Sequence, residues 1–161
     1  MELKITQYDP NNIPNEADIP LPDPRFYEAV GGEEGFRKLI SEFYDRIVES
    51  DIAFFFPQED EEIERIKEHN GKYFAEIAGG PKRYSQEMGH IDQIKMHEPF
   101  SITPKHRIEW LGTWKEVLET FAKDVDPNLT QSYFRYLDEY SKLLVNRPKD
   151  LRGGDYRKAK V

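Results

Sequence analysis

The chain has 161 residues, of which 37% are hydrophobic, enough for one domain with a real core and too few for two. Its net charge of −8 argues against nucleic-acid phosphates and anionic membranes as partners, since both call for a basic face. With no cysteine, disulfides, thiolate metal sites and cysteine catalysis are excluded; no run is apolar enough for a spanning helix or a signal peptide, so the expected location is the cytoplasm.

Residues 1–23 are polar and carry Pro10, Pro14, Pro20 and Pro22, which reads as an extended N-terminal arm with little regular structure. Such an arm is free to cap the domain, to join a homodimer or to stay detached. Asp23-Pro24 opens a short helix, with a capping carboxylate followed by proline in the first turn, and Gly31-Gly32 ends it. From about Glu33 to Glu49, the residues Phe36, Leu39, Ile40, Phe43, Tyr44 and Ile47 recur at helical spacing. Phe54-Phe55-Phe56 then sit at a corner closed by Pro57 and should pack inward.

A helix is expected over Glu59 to Ala78, its acidic first turn complementing the helix dipole. Its apolar stripe of Ile63, Ile66, Tyr73, Phe74 and Ile77 is broken by His69 and Asn70, and Gly79-Gly80-Pro81 stops it. Residues 82–102 are punctuated by glycine and proline, with only short helical stretches. Thr103-Pro104 starts the next helix, with Arg107, Trp110, Leu111, Trp114, Val117, Leu118 and Phe121 facing inward. Asp126-Pro127 opens the last helix, whose stripe runs from Leu129 through Tyr133, Tyr136, Leu137 and Tyr140 to Leu144 before Pro148 closes it. The residues after Asp150 are basic and read as a flexible tail, 150–161. The fold class is therefore all-α, with one domain over 24–149.

Four constellations carry possible chemistry. His97 lies where a short helical segment meets Pro99, flanked by apolar residues, and a neutral imidazole there suits an axial metal base. Taken alone, a single histidine in such a place is more often an ordinary core or surface residue than a ligand. Asn70 on an apolar face needs a partner: a core side chain, a water or a bound small ligand. Tyr44 and Trp110 each put one donor on an inward stripe, suited to a ligand with partial negative charge or to a backbone carbonyl. Glu87-x-x-His90 has the spacing of a carboxylate-bridged di-iron bundle, but that site needs two copies and further glutamates, and this chain has one copy.

The ordered set Phe26-Tyr27-Glu28-Ala29-Val30-Gly31-Gly32, Phe43-Tyr44, Phe56-Pro57, Gly79-Gly80-Pro81, Tyr84, Gly89-His90, His97-x-Pro99-Phe100-x-Ile102, Trp110-Leu111 and Leu144-Val145-Asn146 resembles the truncated haemoglobins. The likeness covers about residues 26–148, and Gly79-Gly80-Pro81 and Trp110 resemble group II of that family. It implies a two-over-two helical sandwich around haem b. By matching position, it implies that His97 is the proximal iron ligand and that Tyr44, Trp110, Asn70 and Ile66 surround the bound ligand. It places Phe56, Tyr73, Met96 and Phe100 against the porphyrin. His69 matches a position from which relatives in another group ligate iron on the distal side. Met96 stands where group II proteins carry an arginine for a haem propionate, which turns attention to Lys67, Arg83, Tyr84 and Lys95. Trp114 stands where a smaller residue is common.

The implied function is binding of a diatomic gas (dioxygen, nitric oxide or carbon monoxide), with sulfide a further ligand, for redox chemistry, nitric oxide detoxification or sensing rather than oxygen transport. One alternative is a nitric oxide dioxygenase or peroxidase fed by an external reductase. Another is a haem-free helical interaction module, to which Met96 and Trp114 point.

Overall fold

In the computed structural model, residues 2–155 are described, and every regular element among them is helical. The elements are α1 (Phe26–Ala29), α2 (Gly32–Ile47), α3 (Asp60–Ile77), α4 (Arg83–Met88), α5 (Gln93–His97), α6 (Pro104–Phe121) and α7 (Pro127–Leu144). α2 pairs with α3, α6 pairs with α7, and the two pairs meet where α2 lies on α6. This is the two-over-two arrangement that the resemblance to truncated haemoglobins implies.

Local chemistry sets the helix ends. Thr103 and His106 form a reciprocal capping box at the start of α6, and Asp126 caps α7 ahead of Pro127. α2 stops at Ile47, two residues short of the span its spacing suggests, because the Ser50 hydroxyl and amide both donate to the Ile47 carbonyl. Gly79 ends the α3 region at φ +101°, and a Cβ there would collide with the Pro24 carbonyl. That close approach lets the Tyr27 amide donate to the Ala78 carbonyl at 3.0 Å, docking α1 on the end of α3.

The centre of the core is aromatic. Phe43 stacks on Trp114 with centroids 4.3 Å apart, and Phe26 stacks on Tyr133 at 4.7 Å. Trp114 is fully buried there. The corner phenylalanines, expected inside, are only partly buried: Phe55 meets His106 edge-on and Phe56 meets Tyr44.

The N-terminal arm is extended, apart from a 3-10 turn at Glu16–Asp18, and it is packed on the domain. Leu3 and Ile19 are buried. The Thr6 amide and hydroxyl donate to the two carboxylate oxygens of Asp138 at 2.8 and 2.5 Å. Arg107 completes the clamp. Its guanidinium donates to Asp138 Oδ1 at 2.7 Å, to the Asp138 carbonyl, to Ser141 Oγ and to the Thr6 carbonyl. Both side chains of this ion pair are at most 2% exposed.

Residues 150–155 are also held, contrary to the loose tail read from the sequence. The Thr103 hydroxyl donates to the Arg152 carbonyl at 2.5 Å. His106 Nδ1 accepts from the Thr103 amide, so its Nε2 carries the proton and donates to the Gly154 carbonyl at 2.7 Å. The remainder of that expected flexible tail, 156–161, lies outside the described residues.

Asp138→Ala is expected to lower stability in chemical denaturation by about 3–5 kcal/mol, since it leaves the Arg107 guanidinium buried and unpaired. It is also expected to expose the arm to proteolysis. A loss below about 1 kcal/mol would show that the pair contributes no more than a surface bridge.

Candidate functional site

A cavity of about 360 Å³ opens between α3, α5, α6 and α7 and the corner that follows α2. That volume is within the range of small-molecule sites. Its walls are largely apolar and aromatic, with a few polar groups among them.

α5 supplies His97 and Met96, and the turn after it supplies Phe100. His97 Nδ1 lies 2.6 Å from the Gln93 carbonyl. A carbonyl only accepts, so in the neutral imidazole Nδ1 is the protonated nitrogen and Nε2 keeps a bare lone pair. That is the tautomer a metal-ligating histidine needs, with its second nitrogen held by a backbone acceptor. The short helix is fixed at both ends. The Asp92 side chain caps it through the Lys95 amide, and Asn146, beyond α7, donates to the His97 and Phe100 carbonyls while accepting from the Ile102 amide. This return of the chain is why α7 stops at Leu144 rather than running on to Pro148.

α2 and α3 supply Tyr44, Ile66, His69, Asn70 and Tyr73. Asn70 Nδ2 donates to the Tyr44 hydroxyl at 2.9 Å. The expected partner of this broken apolar stripe is therefore Tyr44. The Tyr44 proton itself goes to no protein acceptor among the described residues. Burial pushes the Tyr44 phenol pKa up, which keeps it a donor. Phe56 packs edge-on against Tyr44 with centroids 6.1 Å apart.

α6 supplies Trp110, whose ring meets Phe43, Phe74 and Trp114. Trp114, by contrast, lines no part of the cavity. Its bulk fills the core behind Trp110 and leaves the pocket open. Tyr84 is buried on the wall, accepting from Gln93 Nε2 at 3.2 Å, and the His69 ring lies edge-on to it at 5.4 Å.

Two expected cofactor-binding cations lie elsewhere. Lys67 turns to the other side of α3, where its ammonium donates to Ser41, Asp45 and Glu64 in a separate groove between α2 and α3. Arg83 lines the same groove and pairs with Glu33 at 3.2 Å. Each is held by carboxylates that the cavity lacks. Lys95 is exposed and is not on the cavity wall. Glu87 pairs with Lys72, and His90 is exposed. No cluster of three or more histidine, aspartate or glutamate ligands forms among the described residues.

Several wall residues carry no motif. Gln93 matters through its carbonyl, which any residue offers at the fourth position before a histidine on a helix. Arg107, Tyr136 and Tyr140 sit on inward stripes, but their placement on this cavity depends on tertiary packing. His106 carries a capping signal only once Thr103 is taken as its helix start.

The profile of the bacterial-like globin family matches residues 25–142. A group 2 truncated haemoglobin of Bacillus subtilis (strain 168) is 27% identical over 122 residues, covering 75% of this chain and 88% of that protein. The crystal structure of the group II truncated haemoglobin of Bacillus anthracis superposes with a TM-score of 0.69 at 26% identity, over 78% of this chain and 93% of that one. The X-ray structure of a truncated oxygen-avid haemoglobin from Bacillus subtilis superposes with a TM-score of 0.66 at 26% identity, over 74% of this chain and 98% of that one. Since the family profile spans well over half of the sequence, the chain belongs to the bacterial-like globin family, and within it resembles the group II truncated haemoglobins.

Proposed function

We propose that this chain binds haem b through His97 and retains a diatomic ligand, dioxygen first, with redox chemistry or sensing as its use. The observation that carries the reading is the His97 tautomer. An imidazole with its Nδ1 proton held by the Gln93 carbonyl presents Nε2 on the wall of an apolar cavity. Haem supplies a ferrous iron that coordinates dioxygen, nitric oxide or carbon monoxide reversibly.

The protein's own part is donor placement. Tyr44 keeps its proton for the ligand because its oxygen already accepts from Asn70. Trp110 brings an indole N–H on a ring braced by three aromatic neighbours. Ile66 keeps that region apolar, so each donor acts in a low dielectric. Asn70 acts through Tyr44, fixing the direction of the phenol. The oxygen avidity named for the Bacillus subtilis relative suits this donor set.

Met96, Phe56, Phe100 and Tyr73 offer apolar and aromatic surface to the porphyrin. For the propionates, Tyr84 with His69 and Gln93 is one polar set on the wall. We assign His69 to that rim beside Tyr84 rather than to the iron. Strong retention slows ligand release, which suits turnover by an external reductase or signalling better than delivery. The open cavity supports this reading over a haem-free interaction module, since Trp114 is in the core and does not occupy it.

Haemin added to the apoprotein is expected to raise a saturable Soret band; none would overturn the proposal and leave the haem-free module. Tyr44→Phe and Trp110→Phe are each expected to speed dioxygen release about ten-fold or more in stopped flow, the equivalent of one hydrogen bond of about 1.5 kcal/mol to a charged acceptor. Rates within about two-fold of wild type would remove the donor roles. Because the Tyr44 pKa is raised, the neutral donor form persists above its ordinary value, so the release rate should show no phenol inflection from about pH 6 to about pH 10.

A further inference from the structure

Five of the nine tyrosines in the chain line this one cavity: Tyr44, Tyr73, Tyr84, Tyr136 and Tyr140. Their hydroxyls are not equivalent. Tyr44 and Tyr84 accept from amides, Asn70 and Gln93 respectively. Tyr140, alone among the five in the described residues, donates to a carboxylate, Glu16 Oε1, at 3.1 Å.

That difference matters for oxidation. Removing an electron from a phenol turns its O–H into a strong acid, and the oxidised ring is stable only where a base takes the proton. A carboxylate within hydrogen-bond reach is such a base. The other rings lead toward it. Tyr73 and Tyr136 line the same cavity, and burial holds both phenols in the neutral form. Tyr136 stacks on Tyr140 at a centroid distance of 5.6 Å and an interplanar angle of 23°. Tyr140 is partly exposed, so the series ends at the surface.

The acceptor comes from the arm. Glu16 begins the 3-10 turn that Asn15 caps, and the arm is anchored upstream by Thr6 on Asp138. The clamp described above therefore holds in place a carboxylate that the globin helices themselves do not provide.

We propose that Tyr140 and Glu16 form an electron-entry site for a small uncharged phenol, used when the haem-loaded protein reduces a peroxide. The proposal rests on the haem reading. Hydrogen peroxide takes up two electrons and two protons, its O–O bond breaks, and two waters leave. Haem, when bound, would supply the redox centre at which the peroxide is reduced, and Tyr140 would return one of the two electrons through Tyr136 and Tyr73. Tyr140 passes its phenolic proton to Glu16. A phenol at the surface then gives Tyr140 an electron and releases its own proton, and the Glu16 proton returns to Tyr140. A second phenol repays the second electron, so two phenols become two phenoxyl radicals per peroxide. Glu16, with Asp92 nearby, disfavours an anionic donor.

The test treats haem-loaded protein with hydrogen peroxide and a nitroso spin trap, then locates the adduct by peptide mass spectrometry and follows guaiacol oxidation in parallel. Wild type is expected to carry the adduct on Tyr140. Tyr140→Phe is expected to lose that adduct and to oxidise guaiacol far more slowly. Glu16→Gln, which lies outside the cavity, is expected to keep the wild-type Soret band while its adduct yield and guaiacol rate fall about a hundred-fold, the lower end of what a positioned base contributes. A wild-type adduct on another residue, or a Tyr140 adduct indifferent to Glu16→Gln, overturns the relay. Protein that forms no Soret band sinks the haem reading and the relay together. Protein that forms the band, consumes peroxide and leaves Tyr140 unmarked sinks the relay alone.

Discussion

The hydrogen bond between His97 Nδ1 and the Gln93 carbonyl decides what the cavity can hold. Without a fixed acceptor, the proton of a neutral imidazole exchanges between its two nitrogens, and a half-exposed histidine is an indifferent side chain. With it, one nitrogen is committed as donor and the other keeps a lone pair free to bind. A five-residue helix is too short to be stable by its own hydrogen bonds. Its geometry is imposed from both sides, by the Asp92 cap and by Asn146 returning from the end of α7. The site thus rests on tertiary contacts that converge on one turn of helix.

The far side of the cavity follows a related logic. A buried phenol with its oxygen already satisfied has only a proton left to offer, and Asn70 puts Tyr44 in that condition. Aromatic packing does for Trp110 what a hydrogen bond does for Tyr44: three rings restrict where its N–H points. Donors fixed before a ligand arrives need little reorganisation when it does. The cost of burying such polar groups is offset by the aromatic core behind them, where Phe43 and Trp114 stack. The same cavity runs on to Tyr136 and Tyr140, so Tyr44 and a partly exposed phenol share a wall.

Features with local causes were readable from the sequence. The Asp126-Pro127 and Thr103-Pro104 starts work through hydrogen bonds a few residues long, and the structure begins α7 and α6 there. The glycine pair at 79–80 marks a stop, though its close approach to Pro24 is tertiary. Helical periodicity found most of the faces of α2, α6 and α7, and so put Tyr44 in the core and Trp110 and Tyr140 on the cavity wall, although Phe121, read as part of the inward face of α6, is exposed. What stayed hidden depends on partners distant in the chain. Arg107 meets Asp138 and Thr6 only once α6, α7 and the arm are assembled. Lys67 and Arg83 are plausible carboxylate binders by residue type, and the direction each takes is set by Asp45, Glu64 and Glu33 on neighbouring surfaces. Nothing in a proline-rich arm announces that its sixth residue is bonded into a buried ion pair.

The central claim is that a single imidazole nitrogen at position 97 anchors the iron. The most direct measurement is the ferrous absorbance spectrum of haem-loaded His97→Gly, recorded before and after adding free imidazole. The account predicts that the substitution abolishes the wild-type spectrum and that imidazole, occupying the vacated space, restores it. A variant whose ferrous spectrum equals that of wild type without imidazole would mean that the iron is held by another residue, and would contradict the account.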